Sequence, residues 1–370
     1  MEPERFRPLL TAQGPFVSVY IDDSGNSADT MARREAIWSD LHKHLESQGA
    51  DGDIIDRLER AVLHGQPGVG SEGRAIIATH GGVLIDEHLS SPPAATELRI
   101  SEYPYILPLV KDGVRRPVYV FAAVDHEGAD VTLHRGGAVT SETVDGGGYP
   151  VHKPASAGWN GYGDVGHSAE EAVRMNVRAV ADRVTELVDE TGAEVVFVCG
   201  EVRSRTDVVS ALPPRVATRA VQFHAGAQGH RVRQSEVQDL VDTEFDRRRR
   251  CGTADIAERF RSEHGRASGL AAEGIAAVCA ALREGDVATL IVADLHDATV
   301  VTGENRATVA PDADVLSELG EAAHQVVRAD EALPFAAVAV GADLVCVDDL
   351  IAPVDGIAAL LRYVPADIVV

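Results

Sequence analysis

The apolar positions of this chain change period many times, and each change marks an element. Residues 16–21 (FVSVYI) form a β-branched and aromatic run that predicts a buried strand. Thr30 caps a predicted helix over 30–47, where Met31, Ile37, Leu41 and Leu45 recur at helical spacing. The break QGADG at 48–52 separates it from a second helix over 53–63, and strands follow at 74–79 and 83–87. An extended stretch over 97–109 closes a first segment. The second opens at Pro117, where 118–125, 130–135 and 138–144 predict a three-stranded meander. Ser168 caps a helix over 168–191, with Glu170 and Glu171 in its first turn and Ala172, Val173, Val177, Val180, Ala181, Val184 and Leu187 on one face. A buried strand at 194–199, a helix at 205–212, a strand at 217–223 and a helix at 236–250 complete the segment. In the third, helices are predicted at 269–283 and 314–329, and strands at 289–294, 298–302, 335–341 and 344–347. This alternation predicts an α/β fold of three α/β sandwich domains, spanning 1–114, 115–250 and 251–370.

Charge narrows the function. The formal net charge is −24 and uneven: residues 271–370 hold 17 acids against 4 arginines, while 151–270 hold 18 acids against 17 bases. So acidic a chain does not bind nucleic acid nonspecifically. RNA contact has to come through local patches, which leaves the acidic last hundred residues to face protein or solvent. Cys199, Cys251, Cys279 and Cys346 are scattered without a C-x-x-C pair, so neither a zinc site nor a disulfide framework is indicated. No apolar run reaches membrane length and MEPERFRPLL lacks an apolar leader core, which predicts a cytoplasmic location.

One stretch departs from this background. Residues 146–168 read GGGYPVHKPASAGWNGYGDVGHS, with seven glycines in 23 residues and Asp164 as their single acid. Glycine lets backbone approach a ligand closely, Trp159 and Tyr162 offer stacking faces, and Lys153 beside His152 offers positive charge. The pattern reads as a finger that meets RNA.

Other motifs are weaker. Gly161-Tyr162-Gly163-Asp164-Val165-Gly166 fits the dinucleotide fingerprint, but no strand precedes it and the acids twenty residues on fall inside a helix. No Walker A, H-E-x-x-H or G-x-S-x-G is present. Ser204, Arg205 and Asp207 after a strand read either as a phosphate-binding helix start or as an ordinary cap, and the arginines at 247–250 either as phosphate contacts or as a solvated helix end. Trp38 reads as core.

The order of these features resembles the archaeal and eukaryotic class 1 peptide-chain release factors and their relative Pelota. SVYIDD followed by two helices is similar to their first domain, and by position their decoding-centre loop corresponds to Gln48, Gly49, Ala50 and Asp51. YPYILPLV (103–110) is similar to the end of that domain. Between meander and long helix, where those factors carry a Lys-His pair and then Gly-Gly-Gln, this chain has His152 and Lys153, then Ala157, Gly158, Trp159, Asn160 and Gly161. GIAALLRYV (356–364) is similar to a segment near the end of their third domain.

The resemblance implies a tRNA-like protein of the ribosomal A site, with His152, Lys153, Gly158, Trp159, Asn160, Gly161 and Tyr162 on 23S rRNA and residues 48–51 at the 16S decoding centre. The catalytic glutamine is absent, and Asn160 is the only side-chain amide in the loop. The chain therefore resembles the Balon-type branch of bacterial ribosome hibernation factors, which implies occupancy of idle 70S ribosomes without hydrolysis, no cofactor or metal, and elongation factor Tu or stalk proteins as partners of the third domain. Two other functions stay open: a peptidyl-tRNA hydrolase or rescue factor using Asn160, and a nucleotide-binding regulator using residues 161–166.

Overall fold

A computed structural model describes residues 3–25, 30–65, 72–113, 117–135, 138–145, 162–224 and 234–364. The chain opens with α1 (Arg7–Thr11), β1 (Phe16–Asp22), α2 (Thr30–Ser47), α3 (Gly52–His64), β2 (Gly73–Thr79), β3 (Gly82–Leu89), β4 (Glu97–Ser101) and α4 (Leu107–Asp112). The strands form an antiparallel sheet in the order β3-β2-β1-β4. Side chains alternate across a strand, and β1 uses both faces. Val17, Val19 and Ile21 pack with Ile76 and Ala78 against Trp38, Leu41, Leu45, Ile54 and Leu58 of the two helices. Phe16 and Tyr20 join a different core on the other face.

Next come β5 (Tyr119–Val124), β6 (Ala129–Arg135), β7 (Ala138–Val144), α5 (Tyr162–Thr191), β8 (Val195–Gly200), α6 (Val202–Ala211), α7 (Pro214–Ala217), β9 (Ala220–Gln222) and α8 (Gln234–Gly265). Their sheet runs β7-β6-β5-β8-β9, with β5, β8 and β9 parallel and the meander antiparallel. One face packs on Val180, Val184 and Leu187 of α5, the other on Val241 of α8. The chain then supplies β10 (Ala271–Glu273), α9 (Ile275–Glu284), β11 (Val287–Val292), β12 (Thr299–Thr302), β13 (Val309–Ala310), α10 (Ala313–Glu318), β14 (Gln325–Arg328), α11 (Ala329–Ala339), β15 (Asp343–Cys346) and β16 (Ile357–Leu361). Here there are two sheets, β10-β16-β11-β15 and β13-β12-β14.

The α/β character holds in every segment. The grouping is into two compact units: Met1–Val114 with Arg250–Val370, and Arg115–Arg249. In the first unit, Phe16, Tyr20, Tyr103 and Leu109 share one core with Leu333, Phe335 and Ala336. Polar ties cross the same join. Arg99 Nη1 lies 2.9 Å from Asp330 Oδ2, and Ser101 Oγ donates to Glu331 Oε2 at 2.6 Å. Arg306 donates to Ala12 O at 2.9 Å and lies over the rings of Phe16, Tyr103 and Phe335.

Four sequence expectations need correction. Residues 335–339 are not a strand but the end of α11, buried through Val338, because periodicity cannot separate a buried helix from a buried strand. The helix expected over 314–329 stops at Glu318, where the chain turns through Gly320 at φ 77°, and Gln325–Arg328 is a strand. Residues 269–283 hold β10 before α9, divided by Gly274 at φ 83°. Within 97–109 only 97–101 is strand, and α4 begins at Leu107.

The segment 356–364 has a structural explanation. A Cβ at Gly356, φ 72°, would collide with Asp294 O. Ile357–Leu361 is wholly buried in the middle of its sheet. Arg362 donates to Gly285 O at 2.7 Å after α9 and to Gly341 O at 2.7 Å after α11, so one guanidinium satisfies the carboxyl ends of two helices.

Candidate functional site

The carboxyl edge of the β5–β8 sheet is where the long glycine-rich segment departs. Val124, Ala129 and Val144 lie in register across β5, β6 and β7, and Gly200 lies beside Val124, so 145 leaves the sheet at that edge. His152, Lys153, Gly158, Trp159, Asn160 and Gly161 lie outside the described residues. Tyr162 opens α5. The helix therefore starts six residues before the expected cap at Ser168, and Gly163 and Gly166 are helical rather than part of a strand-to-helix turn. That corrects the dinucleotide alternative, whose fingerprint requires such a turn. The thirty-residue helix propagates through both glycines despite their cost of about 1 kcal/mol each.

Where α5 meets the sheet is fixed by Asn176, which donates to His126 O at 3.0 Å in the β5–β6 turn. Tyr162 precedes it by 14 residues. At 1.5 Å per residue the helix start lies about 21 Å further along the axis. Residues 145 and 162, which flank the glycine-rich stretch in sequence, thus lie at the sheet edge and at the remote end of a long helix.

Beneath that edge is a tight polar cluster. Glu201 N donates to Val124 O at 3.1 Å, and the Glu201 carboxylate meets His126 Nδ1 at 3.3 Å and Ser204 Oγ at 3.4 Å. Ser204 thus directs its proton to a carboxylate, not to an imidazole, which is not the arrangement of an activated nucleophile. Close backbone approach explains Gly200, φ 114°, whose Cβ would collide with Val124 O. Arg205 is 3% exposed, and its guanidinium is bound by Gln222 Oε1 at 3.1 Å, Phe223 O and His224 Nδ1 at 3.2 Å. It fixes the end of β9 rather than facing an incoming phosphate. Neither reading left open for Ser204, Arg205 and Asp207 holds as stated, since all three lie inside α6, which starts at Val202 after Glu201. Burial pushes the Cys199 thiol up to about 11, so it is not a thiolate at neutral pH. The arginines after Phe245 bind along their own helix: Arg247 and Arg248 to Glu244 at 2.7 and 2.9 Å, and Arg249 to Asp246 at 2.9 Å.

The loop at 48–51 is ordered from both sides. Gly49, φ 73°, donates to Glu46 O at 3.0 Å and Ala50 to Leu45 O at 2.9 Å, the paired bonds of a Schellman end to α2. Asp51 caps α3 by accepting from Asp53 N at 2.8 Å. Gln48 is left exposed with its side chain outward from both caps. Two residues that the sequence did not single out border this loop. His80 Nδ1 lies 3.7 Å from Asp51 Oδ1, and Arg57, on α3 beside the β2–β3 turn, has a buried Nε without a hydrogen-bond partner among the described residues. Neither belongs to a motif, and only the fold brings 51, 57 and 80 together.

Among the described residues no group of His, Cys, Asp and Glu could hold a metal ion, and no helix is long and apolar enough to cross a membrane. Residues 118–266, most of which form the unit just described, match the model of the bacterial archaeo-eukaryotic release factor family 2. Over 363 residues the chain is 59% identical to the uncharacterized protein Rv2629 of Mycobacterium tuberculosis, covering 98% of this chain and 97% of that one. This chain belongs to the bacterial release-factor-like family. Solved structures similar to it include archaeal Pelota in a ribosome-bound model with ABCE1, at 16% identity and TM-score 0.42, covering 98% of this chain and 94% of that one. Archaeoglobus fulgidus Pelota is 18% identical with TM-score 0.36 over 79% of each chain, and archaeal aRF1 is 15% identical with TM-score 0.24, covering 98% of this chain and 99% of that one.

Proposed function

We propose that the protein binds the ribosome and occupies the A site of idle 70S particles as a hibernation factor of the Balon type, without hydrolysing peptidyl-tRNA. The observation that carries this reading is the sequence of residues 146–161, which precede the long helix α5, are rich in glycine and aromatics and lack glutamine. Release chemistry needs a group that positions water at an ester bond. The segment offers instead Trp159 and Tyr162 for stacking, at about 1–3 kcal/mol per base, and His152 with Lys153 for phosphates. In this reading the segment meets 23S rRNA, the Gln48–Asp51 loop meets the 16S decoding centre, and the acidic C-terminal residues face elongation factor Tu or stalk proteins in the cytoplasm. A pre-ordered 48–51 loop supports it, since a rigid loop loses little entropy on docking.

Asn160, the only amide side chain of the segment, supports the second reading, a peptidyl-tRNA hydrolase or rescue factor. Cosedimentation with 70S ribosomes tests the first. Trp159→Ala with Lys153→Ala should reduce binding, and unchanged binding removes the segment from the proposal. Ribosomes loaded with peptidyl-tRNA separate the two: released peptide that disappears in Asn160→Ala establishes the enzyme and overturns the inert factor.

A further inference from the structure

The small sheet β13-β12-β14 leaves β14 paired on one side only. Ala329 N, directly after β14, donates to Ala298 O at 2.9 Å. By the two-residue alternation of an antiparallel ladder, 325 and 327 then direct their amides to β12, and Val326 directs its N–H and C=O outward. Its side chain, 68% exposed, sits opposite Val301 at the margin of the small core of Val301, Ala310 and Leu316. Leu319, directly after α10 and three residues beyond Leu316, is 55% exposed. Edge strands are ordinarily guarded by lysine, proline or a bulge. Here Gln325-Val326-Val327 has none of these, and the Arg328 guanidinium is drawn to Asp330 and Asp297, at 2.9 and 3.1 Å.

We propose that this edge receives an extended, basic segment of a partner protein as an added strand. Charge selects the occupant. Residues 309–327 contain four acids and no lysine or arginine. Asp312 caps α10, whereas Asp314, Glu318 and Glu321 form no ion pair among the described residues. Nucleic acid and anionic membrane surfaces are repelled by such a rim, and a second copy of the chain would bring the same acids against themselves. A strand with basic residues beside one apolar side chain satisfies the outward amide of Val326, covers Val326 and Leu319, and meets the acids. The inference rests on the edge itself and does not require the ribosome reading, so either can fail alone.

The test uses the full chain and a short fluorescent peptide in which lysine alternates with valine and threonine, followed by anisotropy. Binding should weaken about tenfold in Val326→Pro, which removes an outward donor without touching the β12 ladder. The double variant Glu318→Lys with Glu321→Lys, confined to exposed positions, should weaken it as much and answers the question even if proline disturbs the sheet. Methylating alternate peptide nitrogens should abolish binding. Three results overturn the proposal: no binding by the native chain; binding indifferent to Val326→Pro and to methylation, which is charge attraction alone; or displacement of the peptide by single-stranded RNA.

Discussion

Arg99 joins the first and last thirds of the sequence, and its removal gives a sharp test of how they are held. From β4 it reaches the first turn of α11, where Nη1 lies 2.9 Å from Asp330 Oδ2 and 3.3 Å from Glu331 Oε1. Its guanidinium also lies 3.4 Å from the centre of the Tyr105 ring. Both carboxylates are buried, Glu331 at 2% exposure. Removing one side of a buried ion pair costs about 3–5 kcal/mol, because the partner stays buried and uncompensated. Arg328 remains 2.9 Å from Asp330, and Ser101 2.6 Å from Glu331. Arg99→Ala should therefore fall at the lower end, about 3 kcal/mol near neutral pH.

The pH dependence makes the test specific. Burial holds the Glu331 carboxyl above its usual range; the Ser101 hydrogen bond opposes this, the Asp330 charge adds to it, and Arg99 opposes it. A carboxyl raised in the folded state contributes stability in acid that is lost as pH rises through its folded value. Without Arg99 the Glu331 carboxyl rises further, takes up a proton in mild acid, and no longer lies buried as a charge. The deficit of the variant should thus shrink as the pH is lowered from neutrality, read from urea unfolding followed by circular dichroism. A deficit below about 1 kcal/mol at neutral pH, or one that does not shrink on acidification, refutes the reasoning.

Two further outcomes are expected. Gly49→Ala has open space for its Cβ but must adopt φ 73°, so it should cost about 1 kcal/mol in urea unfolding while α2 and α3 keep their lengths by circular dichroism. Ribosome cosedimentation should depend weakly on salt, because Lys153 is the single lysine or arginine in 146–168 and each neutralised phosphate contributes only about 0.7–0.9 to the logarithmic slope; a slope like that of a basic RNA-binding protein would place the contact elsewhere.

What the sequence made readable was local. The helix over 30–47 was legible from its apolar spacing and the QGADG break after it, and Trp38 was placed in the core it occupies. The meander and the buried EVVFVC strand were legible from β-branched runs between turns. What failed needed distant partners. Residues 335–338 became helix because Asp330 and Glu331 begin α11 against Arg99, more than two hundred residues earlier. Arg205 read either as part of a phosphate-binding helix start or of an ordinary cap, and the register of β9, which brings Gln222 and Phe223 to its guanidinium, was not readable. The position of the long segment between meander and helix was legible from order alone. The extent of α5 was not, because a helix end in glycine-rich sequence carries no clear stop signal.

Arginine links these results. Of 34 basic side chains, 31 are arginine, and several of them are bound by the protein's own groups. Arg205 closes on β9, Arg247 and Arg248 on Glu244, and Arg362 on two helix ends. Guanidinium groups suit this work, since their fixed fork of donors matches carboxylates and orphan carbonyls alike. An acidic protein whose arginines are largely paired with its own carboxylates and carbonyls has little positive charge left for nonspecific nucleic-acid binding. Any RNA recognition then concentrates where glycine, aromatic rings and Lys153 coincide, and the unguarded acidic edge at Val326 is left for protein.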